Sequence, residues 1–210
     1  DLIAGTQQRS FPHPQPVSAV SVSADGKWLA TGCADQRVRV IDIDRGVIVR
    51  TLNVSGAAIF ALRFSADGRH LIAGGDGQRP RYWDLTQAAA NATEIPAPGS
   101  YKQVAVGFSE DGARAWVAAS NGMITQWELR TMQPLLYLRS RHLLLRSAAL
   151  SPDGKRVLTG GNDGAARMSL IDGTELWQRG CAVLTATARP EDATREEWDQ
   201  ARRACVEQKP

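Results

Sequence analysis

The chain has 210 residues, of which 43% are hydrophobic and 22% charged, and it carries a net charge of +3. That balance is neither disordered nor collagenous, and the length suffices for a substantial core. No run of eighteen apolar residues occurs, and the opening DLIAGTQQRS lacks the basic-then-apolar layout of a signal peptide, so no membrane contact is expected.

Lys27, Lys102, Lys155 and Lys209 are the only lysines, so arginine carries most of the positive charge. The one dense basic run is RSRHLLLR at 139–146, a local patch, and nucleic acid is not an expected partner. Cys33, Cys181 and Cys205 show no C-x-x-C spacing, which suits a reduced, cytoplasmic compartment. Two free thiols at Cys181 and Cys205 are the simpler reading, with a bridge across the tail as the alternative. The sequons at Asn53 and Asn91 read as chance matches without a secretory signal.

In chain order, DLIAGTQQRSF at 1–11 parallels DIDRGVIVRTL at 42–52, so the chain opens at the end of a unit's third strand. A full unit follows: VSAVSVS, the pair Asp25-Gly26, WLATG, a turn at Asp35, a run ending at Ile41-Asp42, then GVIVRTL. The second reads IFALRFS, Asp67-Gly68, HLIAG, a turn at Gly77 and Trp83-Asp84. The third reads KQVAVGFS, Asp111-Gly112, AWVAA, a turn at Asn121, Trp127-Glu128 and QPLLYL at 133–138. The fourth reads LRSAALS, Asp153-Gly154, VLTGG, a turn at Asp163 and Ser169-Leu170. The Asp-Gly anchors recur at intervals of 42, 44 and 42 residues. The period-two runs are strands with one buried face, and Asp-Gly between two such runs marks a hairpin. Each unit therefore predicts a four-stranded antiparallel meander.

Units of this length, with a Trp-Asp pair closing the third strand, resemble the WD-repeat (WD-40) family of β-propellers. The resemblance covers roughly residues 1–178 and implies an all-β fold, with 1–11 finishing a preceding blade. Only Trp83-Asp84 is a complete dipeptide, and the Gly-His pair that often opens a repeat is missing. The family often ties a repeat together through an early His, a second-strand Ser or Thr, a turn Asp and the third-strand Trp. His13, Thr31 and Asp35 match this set in the first full unit, with Ile41 in place of the Trp. Thr159 and Asp163 match it in the fourth, with His142 displaced by one residue and Ser169 in place of the Trp. The resemblance implies structural roles for these residues and for Trp83, Asp84 and Trp127.

Four units and a stub are fewer than the seven that the family most often closes into a ring. An open arc would leave an apolar sheet face bare at each end. The expectation is a longer chain, with further blades or a covalently linked upstream domain, or a ring completed by another chain. The tail 179–210 leaves the strand pattern: Thr194 and Glu197 form a capping box that predicts a helix to about Val206, with Trp198 as its anchor. Its REEW phrase and late Cys resemble the segment after the last repeat of bacterial multidomain signalling proteins.

Catalytic motifs are absent: no H-E-x-x-H, G-x-S-x-G, P-loop or EF-hand pattern occurs. AGGDGQ at 73–78 and TGGNDG at 159–164 lie in turns between strands and open no helix, so neither reads as a phosphate loop. His13, His70 and His142 fall in different units, one Asp per hairpin is too few oxygens for calcium, and no cofactor or metal is expected. What remains is a rigid scaffold with variable loops. By resemblance, one face carries the loops NVSGAA at 53–58, APGSYKQ at 97–103 and RSRHLLLR at 139–146. Tyr101, Lys102, Arg139, Arg141 and Arg146 are the candidate contacts to a protein partner, since Tyr and Arg anchor interfaces. The leading expectation is a non-catalytic interaction or sensor scaffold within a larger bacterial signalling protein. A propeller enzyme with its central pocket completed by further blades is the alternative.

Overall fold

Asp25-Gly26, Asp67-Gly68 and Asp111-Gly112 each close a hairpin, and the serine two residues before the Asp shows why; Asp153 lies outside the described residues. In the computed structural model, Ser23 donates to Asp25 Oδ1 at 2.6 Å and accepts the Trp28 N–H at 2.9 Å. Ser65 and Ser109 repeat both bonds with Asp67 and His70 and with Asp111 and Arg114. The serine hydroxyl, with the N–H groups of Lys27, Arg69 and Ala113, holds these three carboxyls below the usual carboxylate range. Gly26, Gly68, Gly112 and Gly154 follow with φ of 73°, 69°, 68° and 67°, the left-handed conformation that only glycine adopts without strain.

The structure describes residues 9–54, 56, 58–88, 91–97, 101–142, 144–151, 154–171, 195 and 199. The first sheet is a meander of β1 (Val17–Val22), β2 (Trp28–Cys33), β3 (Arg37–Asp42) and β4 (Val47–Asn53). The second holds β5 (Ile59–Phe64), β6 (His70–Gly75), β7 (Arg81–Asp84) and the short β8 (Thr93–Glu94). The third holds β9 (Gln103–Phe108), β10 (Arg114–Ala119), β11 (Met123–Glu128) and β12 (Gln133–Arg139). The fourth shows β13 (Leu145–Leu150), β14 (Arg156–Gly161) and β15 (Ala166–Leu170). All pairings are antiparallel between consecutive strands, as in propeller blades. The predicted tail helix, with Trp198 and Cys205, lies outside the described residues except at Arg195 and Asp199, both of which are α-helical.

Alternation along the strands sends one face of each sheet to the preceding blade and the other to the following one. Three apolar cores result, one per seam. Ala30, Val38, Val40 and Leu52 of blade 1 meet Ile59, Leu62, Leu71 and Trp83 of blade 2. Ile72 and Ile95 of blade 2 meet Val106, Val117 and Trp127 of blade 3. Trp116 and Ile124 of blade 3 meet Leu145 and Val157 of blade 4.

The seams share a wedge. A Cβ placed on Gly32 would stand 2.6 Å from Ile59 Cγ2, and one on Gly74 would stand 2.6 Å from Gln103 Cβ. The missing side chains therefore let the first residue of the next blade's inner strand approach the sheet. At the third seam Ala118 holds the equivalent position and Leu145 opens the next inner strand, both wholly buried in one core. Gly160 holds the corresponding place in blade 4, where a Cβ would meet nothing within 4 Å among the described residues. On the outward face of blade 1, Val20 and Val22 are 63% and 55% exposed, and on that of blade 4, Leu158 and Met168 are 52% and 69% exposed.

Candidate functional site

Strand direction fixes which loops share an end. In a meander, the turns from second to third strand and the connections from fourth strand to the next first strand lie at the same end of every sheet. That end carries Asp35, Gln78, Asn121 and Asp163 on the inner turns, and the described residues of the 53–58, 97–103 and 139–146 segments on the connections between blades. The inner strands β1, β5, β9 and β13 neighbour one another in sequence and face a common space of about 300 Å³ lined by Ser18, Phe60, Val104 and Ala148.

The five predicted contact residues all fall at this end. Tyr101 is 47% exposed. Lys102, beside it, places Nζ 3.6 Å over the centre of the Phe60 ring, a cation–π contact that directs the ammonium toward the inner strands. Arg139 and Arg141 are exposed, as is Arg146, whose Nε donates to Asn162 Oδ1 at 2.6 Å. The run 139–146 is not one loop: Arg139 ends β12 and Arg146 lies within β13. Arg139 and Arg146 consequently stand on rigid strand ends, and Arg141 alone of the three lies in the connection.

Polar side chains at this end are held by the scaffold. Gln103 accepts the Gly75 N–H at 2.8 Å and donates to the Gln78 carbonyl at 2.7 Å, joining two blades. His142, buried to the last atom of its side chain, contacts Asp163 Oδ1 through Nδ1 at 2.7 Å and the Thr159 hydroxyl through Nε2 at 3.1 Å. Arg167 completes the cluster by donating to Asp163 Oδ2 at 2.5 Å. Bonds from His142 and then Arg167 pull the Asp163 carboxyl down to about 2.

In the first blade the set divides. His13 bonds Thr31 through Nε2 and the Phe11 carbonyl through Nδ1, both at 2.7 Å. Asp35 is not bonded to His13; it pairs with the Arg39 guanidinium through two bonds of 3.2 and 2.5 Å, which lowers its carboxyl to about 2. The expected His–Thr–Asp set is thus a His–Thr pair plus an Asp–Arg pair in blade 1. The difference lies in the histidine: His13 turns Nδ1 to the Phe11 carbonyl, whereas His142 turns Nδ1 to Asp163 even though Arg167, equivalent to Arg39, bonds the same carboxylate.

Trp83 is 1% exposed in the first core, and Asp84 accepts from the Thr86 N–H, the Thr86 hydroxyl and Gln87 Nε2, capping the turn after β7. Trp127, 2% exposed, donates its indole N–H to the Thr125 hydroxyl at 3.0 Å rather than to a turn carboxylate. Sequence reading missed Arg39, Arg167 and the Phe60 platform. The arginines had a signal: Arg39, Arg81 and Arg167 recur two residues before the Trp-Asp position in three of the four units.

His70 contacts the Tyr82 hydroxyl at 2.8 Å, so each histidine is engaged within its own blade. Among the described residues no cluster of three or more His, Cys, Asp or Glu gathers, and no helix is long and apolar enough to cross a membrane.

Comparison with known proteins agrees with this geometry. The chain is 26% identical over 161 residues to the WD repeat-containing protein VIP3 of Arabidopsis thaliana, covering 71% of this chain and 50% of VIP3. It is 30% identical over 125 residues to transcription initiation factor TFIID subunit 5 of Caenorhabditis elegans, covering 59% of this chain and 19% of that protein. The chain thus spans half or less of the length of these relatives. Both are eukaryotic, and they lend no support to the bacterial multidomain setting suggested by the tail. The β-propeller domain of Cps50 (Swd1) from Myceliophteria thermophila superposes with a TM-score of 0.70 at 15% identity, over 78% of this chain and 54% of that one, which establishes the fold alone. The family model WD40, described as WD domain, G-beta repeat, matches residues 5–42, 46–84 and 136–168, just over half of the chain, which therefore belongs to the WD40 family.

Proposed function

We propose that this chain is a non-catalytic scaffold that holds a protein partner against the loop end of its blades, as part of a larger regulatory protein. The observation that carries the reading is the gathering of Tyr101, Lys102, Arg139, Arg141 and Arg146 at one end of rigid sheets, with Arg139 and Arg146 fixed on strand ends. Rigid placement lowers the entropy lost on binding, and Tyr and Arg are the side chains that most often anchor interfaces. The TFIID relative is by name a subunit of a multi-protein assembly, which supports the same reading for this chain.

The alternative, an enzyme with its pocket in the central space, would draw on groups lining that space. Among the described residues the lining of that space includes the Ser18 hydroxyl, the Arg63 guanidinium and the Trp116 indole but no carboxylate or imidazole, which favours the scaffold reading. Arg139→Glu combined with Arg141→Glu is the direct test. Both side chains are exposed, so the melting temperature is expected to hold while the yield of co-purifying partner falls. An unchanged yield at an unchanged melting temperature removes this patch as the contact.

A further inference from the structure

The three seams are built from equivalent positions, yet they differ at the end opposite the loops just described. Between blades 2 and 3 the space is filled by Tyr82, whose ring stacks on His70 at 5.4 Å and meets Phe108 edge-on at 6.2 Å. In blade 1 the equivalent of Tyr82 is Val40, and the pair Ala30–Val40 stands where blade 2 has Ile72–Tyr82. Both blade 1 residues are smaller, while Trp28 stands where blade 2 has His70 and forms one wall of the space. The seam between blades 1 and 2 accordingly opens into a cleft of about 430 Å³, within the size range of ligand pockets.

The walls of this cleft have a definite character. Trp28, Val40, Val49 and Leu85 supply apolar surface, and Arg50 and Arg69 supply the charge, with no carboxylate among the described lining residues. Arg50 Nη1 donates to the Gln87 carbonyl at 2.7 Å across the seam, which fixes its guanidinium at the cleft. Asp67, the carboxylate nearest Arg69 along the chain, is engaged by the Ser65 hydroxyl and by the Arg69 backbone N–H within its own turn. The cleft between blades 3 and 4 is lined instead by Glu110, Asp111, Arg114, Gln126 and Lys155, polar throughout. Beside the first cleft runs β4, the outer edge of its sheet, with Val47 and Val49 44% and 40% exposed. Edge strands are ordinarily blunted by charge, so apolar side chains left exposed there point to an occupant.

We propose that this cleft receives one aromatic side chain from a short acidic segment of a partner protein. The ring would take the place that Tyr82 takes at the next seam, against Trp28 and Val40, and the flanking carboxylates would pair with Arg50 and Arg69 through charge-assisted bonds. The occupant follows from complementarity on both counts: an aromatic-sized gap beside aromatic and aliphatic walls, and two guanidinium groups without a lining carboxylate. The site is separate from the loop end and stands or falls independently of it.

The test uses the full chain and fluorescein-labelled octapeptides with a central Phe, Tyr or Trp and randomised Asp/Glu flanks, followed by fluorescence anisotropy. Saturable binding is expected, weakened roughly tenfold or more when the aromatic is replaced by Ser or the flanks by Lys. Arg69→Glu reverses an exposed charge without touching the core and is expected to weaken binding roughly tenfold; Val40→Tyr, at a core position 3% exposed, is expected to do the same in protein that retains its melting transition. Arg139→Glu with Arg141→Glu, at the other end, leaves it unchanged. Absence of saturable binding, equal binding of the Lys-flanked peptides, or binding indifferent to Arg69→Glu would overturn the proposal. So would self-association in light scattering that Arg69→Glu abolishes, since the occupant would then be a second copy of the chain.

Discussion

The wedge at the first seam makes a double-mutant cycle on Gly32 and Ile59 a sharp test of how the blades pack. Gly32→Ala introduces a Cβ 2.6 Å from Ile59 Cγ2, 2.9 Å from Ile59 Cβ and 3.3 Å from the Ala19 methyl. Contacts this short force the inner strand of blade 2 to retreat, at a cost of about 1–3 kcal/mol, offset by roughly 0.5–1 kcal/mol from the lower chain entropy of Ala. Ile59 is completely buried, so Ile59→Ala alone should cost about 2–4 kcal/mol through lost burial and a residual cavity. In the double variant the worst contact, with Cγ2, no longer exists, and the new methyl at position 32 fills part of the cavity. The Ile59 Cβ contact persists, so the relief is partial. Urea unfolding of the wild type, both single variants and the double variant should therefore show the double variant more stable than additivity predicts, by about 1–2 kcal/mol. Strict additivity would mean that the two residues do not meet across the seam as described.

Three further outcomes follow from the polar clusters. His142 has a fully buried side chain whereas His13 is only half-buried, so His142→Ala should cost about 2–4 kcal/mol and His13→Ala about 1 kcal/mol, read by thermal unfolding; equal losses would contradict the burial assigned to them. Thr125→Val removes the acceptor of the buried Trp127 indole N–H and should cost about 1–3 kcal/mol, with a shift in Trp emission that reports the lost bond. Asp35 and Asp163 have folded-state values of about 2, below their ordinary value of 3.8, so the stability they confer is present above about pH 4 and lost as pH falls toward 2. Asp35→Asn with Asp163→Asn should flatten the stability profile in that window; an unaltered profile would show that their arginine and histidine partners contribute nothing.

The repeat and its hairpins were legible because their cause is local. A Ser, an Asp and a left-handed Gly within four residues close each turn with bonds confined to that turn, and the sequence displays the complete set three times with all partners described. The alternation of the inner strands was equally plain, since one buried face imposes period two. The short β8 was not, because Thr93 and Glu94 are both exposed and carry no apolar pattern. The division of the polar set in blade 1 was also hidden: whether the histidine Nδ1 meets the turn carboxylate, as in His142, or a nearby carbonyl, as in His13, depends on the path of the chain before the first strand and not on residue type. The open cleft beside Trp28 depends on Val40 being shorter than Tyr82 at an equivalent position in another blade, a comparison that requires strand register as well as sequence.

The claim that a partner sits on the loop end is tested most directly by site-specific photo-crosslinking in the native cell. A benzophenone amino acid would replace Tyr101 or Arg141 at that end, and in a separate chain Glu110 at the opposite end, away from the cleft beside Trp28, all three positions being exposed. The account predicts a discrete protein adduct from positions 101 and 141 that disappears when Arg139 is changed to Glu. An adduct of equal yield from position 110, or none from 101 and 141, would contradict it.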